Sequence, residues 1–301
     1  IGRRIIYSVA VLMVTSMIVF GLSRAAGDPR LVFLTEYTSQ KDWDEWGKEY
    51  HLDKPFIFQY AIWMGKALKA DFGRSLRDHV NARLVIQERI PATLQLTVGS
   101  FVLAILVGIP LGVMSAISRG SVWDYIGRTW ALLGQALPPY WLGVMLVLLF
   151  AVILGWLPSG RKGDWTHLIL PGVTLGWGAA SGLLRLTRSA MLEVLDSEYV
   201  KFARAKGVGT NKVIWKHALK NAIIAPLTYT GLLLAGFLTG TVVTETVFSW
   251  PGIGRLAVQA VYNNDFPVLT GVVLLVTVIY LTVNLATDIL YAIIDPRIRL
   301  D

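Results

Sequence analysis

Residues 198–222 read EYVKFARAKGVGTNKVIWKHALKNA, and residues 223–240 continue as IIAPLTYTGLLLAGFLTG. The first stretch carries six Lys/Arg and two glycines, and the second carries no charge at all. So abrupt a change from a basic amphipathic run to an apolar one means that the two runs meet different solvents. For the apolar run that solvent is lipid.

The rest of the chain agrees. Of its 301 residues 54% are apolar and only 16% are charged, whereas a soluble domain carries about 25% charged residues. Five segments reach or approach the roughly 20 apolar residues needed to cross a hydrocarbon core. They are Ile5–Leu22, Leu94–Ile117, Trp130–Leu154, Leu219–Val243 and Val268–Ile294. A sixth, Leu168–Leu184, is rich in glycine and closes on Arg185. A soluble protein would need a large core around each of these runs, so the expected fold class is an all-α polytopic membrane protein with six transmembrane helices.

The formal charge of +8 first suggests nucleic acid, but its distribution points to a membrane. Arg3 and Arg4 precede the first span, Arg119 and Arg128 lie between the second and third, and eight Lys/Arg fall between Arg185 and Lys220. Arg297 and Arg299 follow the last span, while the short loops on the other side carry only Arg161, Lys162 and Arg255. This is the positive-inside pattern, which puts both termini in the cytoplasm. No nucleic acid partner is expected; membrane lipid is.

The first apolar run has 18 residues, longer than the 7–15 of a signal-peptide core, so it reads as a retained span. The opening IGRR is expected to lack its initiating residue. The chain then divides into an N-terminal helix at 1–22, a mostly helical extracytoplasmic segment at 23–92, a transmembrane core at 93–294 and a cytoplasmic tail at 295–301. The extracytoplasmic segment holds eleven basic and ten acidic residues, and at that length it escapes the charge rule. Within it Ser39 is placed to cap a short helix, and Pro55 opens an amphipathic piece with Phe58, Ile62, Met64 and Leu68 on one face. Its aromatics fit either the membrane surface or the core of a small external cap. Pro91 suits the start of the next helix.

Pro138 and Pro139 inside the third apolar run must break or bend its hydrogen-bond ladder. The freed carbonyls are tolerated only against protein or a water-filled cavity. Gln135, Pro138 and Tyr140 are therefore candidates to line a pathway, with a kink packed on a neighbouring helix as the alternative. The small residues Gly176, Gly178, Ala179, Ala180, Ser181 and Gly182 favour close helix packing. Three polar residues in or near the spans, Glu245, Asn284 and Asp288, are the ones for which a functional role is the default question.

In the basic stretch 196–220, Tyr199, Phe202, Ala203 and Lys206 fall on one helical face. Gly207 and Gly209 stop that helix, and Thr210 is placed to cap a second one carrying Val213, Ile214 and His217. Two short helices across a glycine bend form a knob that fits a groove; a basic loop lying on anionic lipid is the other reading.

EYVKFARAKGVGTNKVIWKHALKNAIIAP resembles the cytoplasmic coupling motif of ABC-importer membrane subunits, in the Ala-Arg-Ala-Lys-Gly form of the peptide permease family. LDKPFIFQYAIW at 52–63, DFGRS at 71–75, ERIPATLQL at 88–96, LPSG at 157–160, RLTRSAMLEVL at 185–195 and ETVFSWPGIG at 245–254 are similar to the first of the two permease subunits of dipeptide and oligopeptide importers. GDP at 27–29 and DPRIR at 295–299 match as well, so the resemblance spans nearly the whole chain. Ala70, where many relatives have glycine, is a small departure.

The resemblance implies a type I ABC importer transmembrane fold in a bacterial or archaeal plasma membrane. It implies a coupling helix seated in an ATPase cleft, with Glu198, Ala203, Ala205 and Gly207 as its motif core and Tyr199, Phe202, Arg204 and Lys206 around them. The implied partners are a homologous second permease subunit, two ABC ATPase subunits that hold ATP and Mg, and an extracytoplasmic solute-binding protein. The implied substrate is a dipeptide or oligopeptide, with glutathione or a nickel chelate as the alternative.

The residues themselves supply no catalytic site. There is no His-Glu-x-x-His and no Gly-x-Ser-x-Gly, and GVGTNK at 207–212 lacks the spacing and ending of a phosphate loop. His51, His79, His167 and His217 are scattered, and the absence of cysteine leaves no thiolate. No bound cofactor or metal is expected. A proton-coupled transporter, the other class, would depend on Glu245 or Asp288.

Overall fold

The computed structural model describes residues 2–25, 39–49 and 51–294. The expected turn at 27–29 and the segment 295–299 lie outside the described residues. What is described is almost entirely helical; no strand is found among the described residues, only an isolated bridge between Arg74 and Asn81.

The first helix, α1 (Gly2–Ala25), is followed by two short ones, α2 (Gln40–Glu49) and α3 (Phe56–Ala67). The longest, α4 (Ala82–Ile117), has 36 residues, about 54 Å at 1.5 Å per residue, so it exceeds the thickness of a bilayer core. Asn81 caps it by accepting from the Arg83 N–H at 2.9 Å. Pro91 therefore lies inside this helix instead of starting it. The apolar run began only near residue 94, but the hydrogen-bond ladder starts at the asparagine cap.

The expected span Trp130–Leu154 is not one straight helix. It consists of α5 (Val122–Ala136) and α6 (Pro139–Leu146), the latter running on into a π-helical stretch Val147–Ile153. The two arms meet at 110° across Leu137 and Pro138. Neither proline can donate to the preceding turn, so the ladder stops there.

Next come α7 (Thr166–Leu195), α8 (Glu198–Ala205), α9 (Thr210–Lys212), a π-helical turn Val213–Ala218 and α10 (Leu219–Ala222). The last three are α11 (Ile224–Val247), α12 (Ile253–Tyr262) and α13 (Phe266–Ile294). Among the described residues four helices are long and apolar enough to cross a membrane, five if the bent pair counts as one span. A sixth crossing would fall to α11, which has 24 residues.

The bundle is organised along α4 and α7, which touch through small residues. A Cβ on Gly108 would stand 2.6 Å from the Ala180 carbonyl oxygen, and one on Gly112 would stand 2.7 Å from that of Leu184. The small residues of α7 face different neighbours: Gly176 meets Ser100, Ser181 meets Gly134, and Gly182 meets Tyr229. Trp130 stacks on Trp177 beside this contact at 5.4 Å.

Four apolar clusters among the described residues follow α4 from end to end, one of them Ala92 and Leu96 with Trp250. Ala82, Val85 and Ile86 pack with Ile253, Leu256, Val268 and Val272 at its start. Ala104 meets Ala180, Leu183 and Phe237 in the middle. Val113 and Ala116 meet Met191, Ile214, Ala218 and Ala222 at its finish. The helix α1 stays on the outside, with Leu22 and Ile6 among its exposed apolar residues. It packs on α13 and, through Phe20, on Phe56, Tyr60 and Trp63 of α3. Of the expected apolar face, Phe58 and Leu68 are exposed, at 59% and 77%, while Ile62 and Met64 are half-buried. The buried face is set by Tyr60, whose hydroxyl pairs with Ser16 at 2.8 Å.

Candidate functional site

The opening basic stretch forms the protruding part of the finish end. Its first helix, α8, stops at a glycine for a stereochemical reason. Gly207 has φ +77°, a conformation that costs a residue with a Cβ about 1 kcal/mol or more. The Gly207 N–H donates to the Arg204 carbonyl at 2.9 Å, and the Val208 N–H to that of Ala203 at 3.2 Å. This pair of bonds is a Schellman motif. Half-buried Ala203 and Val208 are the pair that such a motif brings together.

The side chains of α8 point two ways. Val200 is completely buried, and the Tyr199 hydroxyl donates to the His217 carbonyl at 2.6 Å. Asn221 donates to the Tyr199 oxygen at 2.8 Å and to the His217 carbonyl at 2.9 Å. Tyr199 is thus a strut that fixes α8 to the following segment. Phe202 is 66% exposed with the Lys206 ammonium 5.3 Å from its ring centre, and Glu198, Arg204 and Ala205 are exposed with it. Of the single face expected from Tyr199 to Lys206, Tyr199 is 42% exposed with its hydroxyl engaged by the following segment, Ala203 is half-buried, and Phe202 and Lys206 are exposed together. Thr210 begins the second helix after the cap position held by Gly209, so it is the first helical residue and not the cap.

This second part seats the knob on the bundle. Ile214, Ala218 and Ala222 enter the cluster of Val113, Ala116 and Met191. Beside that cluster lies a polar node that the sequence reading missed. Asp124, 1% exposed, accepts two bonds from the Arg188 guanidinium, from Nε at 2.8 Å and from Nη2 at 2.9 Å. Ser115 donates to the same carboxylate at 2.6 Å, and the Gly120 N–H at 3.1 Å. Three helices, α4, α5 and α7, are joined by one carboxylate. An aspartate in the first turn of one helix and an arginine just past the end of a later apolar run were the available signal. Their separation of 64 positions hid the pairing.

Glu245 lies at the other end and is fully buried. The Thr93 hydroxyl donates to its Oε1 at 2.7 Å and the Arg255 N–H to its Oε2 at 2.9 Å. Thr93 in turn accepts from the Ile253 N–H at 2.8 Å. Trp250 closes the site by donating from Nε1 to the Ala92 carbonyl at 2.8 Å. Next to it the Arg161 N–H donates to the Phe248 carbonyl at 2.7 Å, so the LPSG and ETVFSWPGIG stretches are brought together. A polar recess at this end is lined by Arg77, Arg89, Arg255, Gln259 and Asn263, with Asp78 and Asp265 among the walls. Arg89 is half-buried without an ion pair among the described residues.

Gln135, Pro138 and Tyr140 sit together at the 110° bend and are exposed on the surface of the chain. Asn284 is half-buried in α13, far in the fold from Glu245, and the side chain of Asp288 lies outside the described ones. No three His, Asp or Glu side chains among the described residues converge on a point that would hold a metal ion.

An apolar helical bundle with a braced basic knob is the frame of a transport subunit, and the chain belongs to the binding-protein-dependent transport system inner membrane component family, which it matches over residues 108–300. It is a multi-pass membrane protein of that family. It is 37% identical to the oligopeptide transport system permease protein AppB of Bacillus subtilis (strain 168), with 99% of this chain and 98% of that one covered. It is 36% identical to the dipeptide transport system permease protein DppB of Alkalihalophilus pseudofirmus, with the same coverage. The glutathione transport system permease protein GsiC of Salmonella choleraesuis is 41% identical over 82% of this chain and 81% of its own. The fold is like that of the inward-facing MetNI methionine ABC transporter, at a TM-score of 0.59 and 20% identity over 70% of this chain and 97% of that one.

Proposed function

We propose that this chain is a membrane permease subunit of an ATP-driven importer of dipeptides or oligopeptides. It pairs with a second, homologous permease around a shared pathway. Two ATPase subunits, which hold ATP and Mg, dock on the end that carries Glu198–Gly207, and that end faces the cytoplasm together with both termini. An extracytoplasmic binding protein delivers the peptide to the opposite end, where the recess of Arg77, Arg89 and Arg255 supplies positive charge for contact. Peptide is favoured over glutathione because the relatives similar over 98% of their own length carry oligopeptide and dipeptide names.

The observation that carries the reading is the brace under α8. A lipid-surface loop has no need of a Schellman stop or of a tyrosine tied to His217 and Asn221. A lever has that need, since a push on Phe202 must reach the bundle without being absorbed. Through Tyr199 the push passes to the segment that packs on Val113, Ala116 and Met191, next to the Asp124–Arg188 node. Closure of the ATPases would then tilt α4, α5 and α7 as one body, opening the pathway outward, and hydrolysis would reset it.

Native mass spectrometry of the complex extracted gently from its own membrane tests this. Wild type is expected with one sister permease and two ATPases. Gly207→Pro, which cannot adopt φ +77° and removes the N–H bonded to Arg204, is expected to lose the ATPases while keeping the sister subunit. Phe202→Ala, with its exposed ring, is the gentler second variant and should lower ATPase retention without lowering the amount of folded protein. Wild type isolated repeatedly without ATPase, under conditions that keep a known importer whole, would sink the proposal in favour of secondary transport.

A further inference from the structure

Four residues of α7 are exposed: Gly178, Arg185, Ser189 and Glu193. Spacings of seven, four and four place them on one face of the helix, so α7, packed by α4, α5, α6 and α11, keeps a single open stripe. It runs from the middle of the span to the end that carries the knob. The stripe has no apolar side chain, whereas the open face of α1 is made of residues such as Ile6 and Leu22. A face turned to lipid is apolar, and an ionisable residue on a spanning helix faces the bundle interior or water. The stripe on α7 therefore borders water-filled space.

The two arginines of α7 stand one turn apart and differ in what balances them. Arg188 is bound by Asp124, while Arg185 has no ion pair and no hydrogen bond from its side chain among the described residues. The acid of the stripe, Glu193, is eight residues on, about 12 Å along the axis. On its other side Arg185 adjoins Gly182, three residues back on the same surface. A Cβ there would stand 2.6 Å from the Tyr229 hydroxyl, so Tyr229 of α11 crosses α7 one turn before Arg185. Tyr229 is also a wall of a recess of about 380 Å³ between α7 and α11, with Leu175, Gly178, Leu232, Leu233 and Gly236. Apart from that hydroxyl the recess is apolar. A helical side chain leans towards the N-terminal end of its helix, which for Arg185 is the side of the recess.

We propose that the recess and Arg185 form a cargo subsite: an apolar side chain of the peptide enters the recess, and the C-terminal carboxylate of the same peptide is held by the Arg185 guanidinium. The inference rests on the reading of the chain as a peptide importer permease. Every free peptide ends in a carboxylate whatever its sequence, so a fixed cation beside an apolar recess suits cargo of varied composition. The countercharge arrives with the cargo and leaves with it, so Arg185 needs no permanent partner. The permease then selects for a free C-terminus, in addition to any selection by a binding protein.

The test is saturation-transfer NMR of peptide binding to the whole complex in nanodiscs, without nucleotide and without binding protein, a method that reads millimolar affinities. The probes are Ala-Ala-Leu as the free acid and as its C-terminal amide. Wild type is expected to bind the acid about tenfold more tightly, the effect of one charge-assisted hydrogen bond. Arg185→Gln should abolish that preference, and Arg185→Lys should keep part of it. Gly236→Leu should weaken binding of Ala-Ala-Leu more than of Ala-Ala-Gly. A Cβ at that position meets nothing within 4 Å, so this variant keeps its fold and decides the matter if Arg185→Gln does not. Equal binding of acid and amide by wild type, a preference that survives Arg185→Gln, or equal weakening of the two peptides by Gly236→Leu would each overturn the proposal. Loss of the sister permease from the Arg185→Gln complex in native mass spectrometry would overturn it too, because the stripe would then be a subunit contact. ATP-driven uptake of Ala-Ala-Leu by wild type, in proteoliposomes supplied with the binding protein, separates this proposal from the importer reading. Uptake without a preference in the NMR fells the proposal alone, and absent uptake fells both.

Discussion

The two ends of α4 each bury one carboxyl group, and they satisfy it by different means. Glu245 is held by a threonine hydroxyl and a backbone N–H, both neutral and both belonging to the turn that follows α11 or to the helix beside it. Asp124 is held by a guanidinium from α7, with Ser115 of α4 as the third partner. The first arrangement fastens a turn to a helix, and neutral donors serve for that. The second ties together helices that come from distant parts of the chain, and a bidentate charge-assisted pair is roughly twice as strong per bond as a neutral hydrogen bond. The node with the ion pair is the one beside the knob, where force is expected to enter. The neutral node lies where a fixed rim suffices.

The largest effect expected from this contrast is on Asp124→Ala. It leaves the Arg188 guanidinium, itself only 21% exposed, without a countercharge, a loss of about 3–5 kcal/mol for a broken buried pair. Thermal unfolding in nanodiscs should show it as a large drop in midpoint, and Arg188→Met on the same background should restore part of the loss. A midpoint unchanged from wild type would mean that the node is not under load.

Gly108→Val comes next and probes the stretch between the two ends. The added Cβ meets the backbone oxygen of Ala180 at 2.6 Å, and a backbone cannot step aside as a flexible side chain can. Overpacking of about 1–3 kcal/mol should appear as a lower midpoint together with reduced peptide uptake into proteoliposomes. Full uptake with a normal midpoint would show that α4 and α7 part easily.

The smallest expected effect is on Glu245→Gln. The amide can turn its NH₂ to Thr93 Oγ1 and its oxygen to the Arg255 N–H, which leaves the Thr93 hydroxyl and one amide N–H over but removes a buried charge. The cost should be about 1 kcal/mol or less. If this change costs as much as Asp124→Asn in the same assay, the contrast between a neutral rim and a charged tie fails.

The readings from sequence succeeded where a single stretch of chain carries its own physics. The proline pair at 138 and 139 had to interrupt a helix, and the interruption is there at 110°. Gly207 had to end one, and its φ of +77° ends it. The reading failed where a boundary depends on a cap instead of on hydropathy. Pro91 was placed at a helix start, but the asparagine at 81 starts that helix earlier. For α3 the period put Phe58, Ile62, Met64 and Leu68 on one face without saying what that face meets. The hydroxyl of Tyr60, reaching Ser16 on α1, set the orientation instead. Nothing in the local sequence announces that bond.

The class of the molecule was therefore determined by the sequence alone: apolar runs of membrane length and a basic glycine-broken stretch between two of them. These are properties of short windows, and a window of about 20 residues is enough to choose lipid over water. Only the tertiary structure decided which groups meet. Asp124 and Arg188 are separated by 64 positions, Thr93 and Glu245 by 152. Each pair is polar in a mostly apolar setting, so each had to find a partner, but the partner's identity follows from how α4 approaches α11 at one end and how α5 approaches α7 at the other. That approach is a property of packing between helices, and packing is written in no single window of the chain.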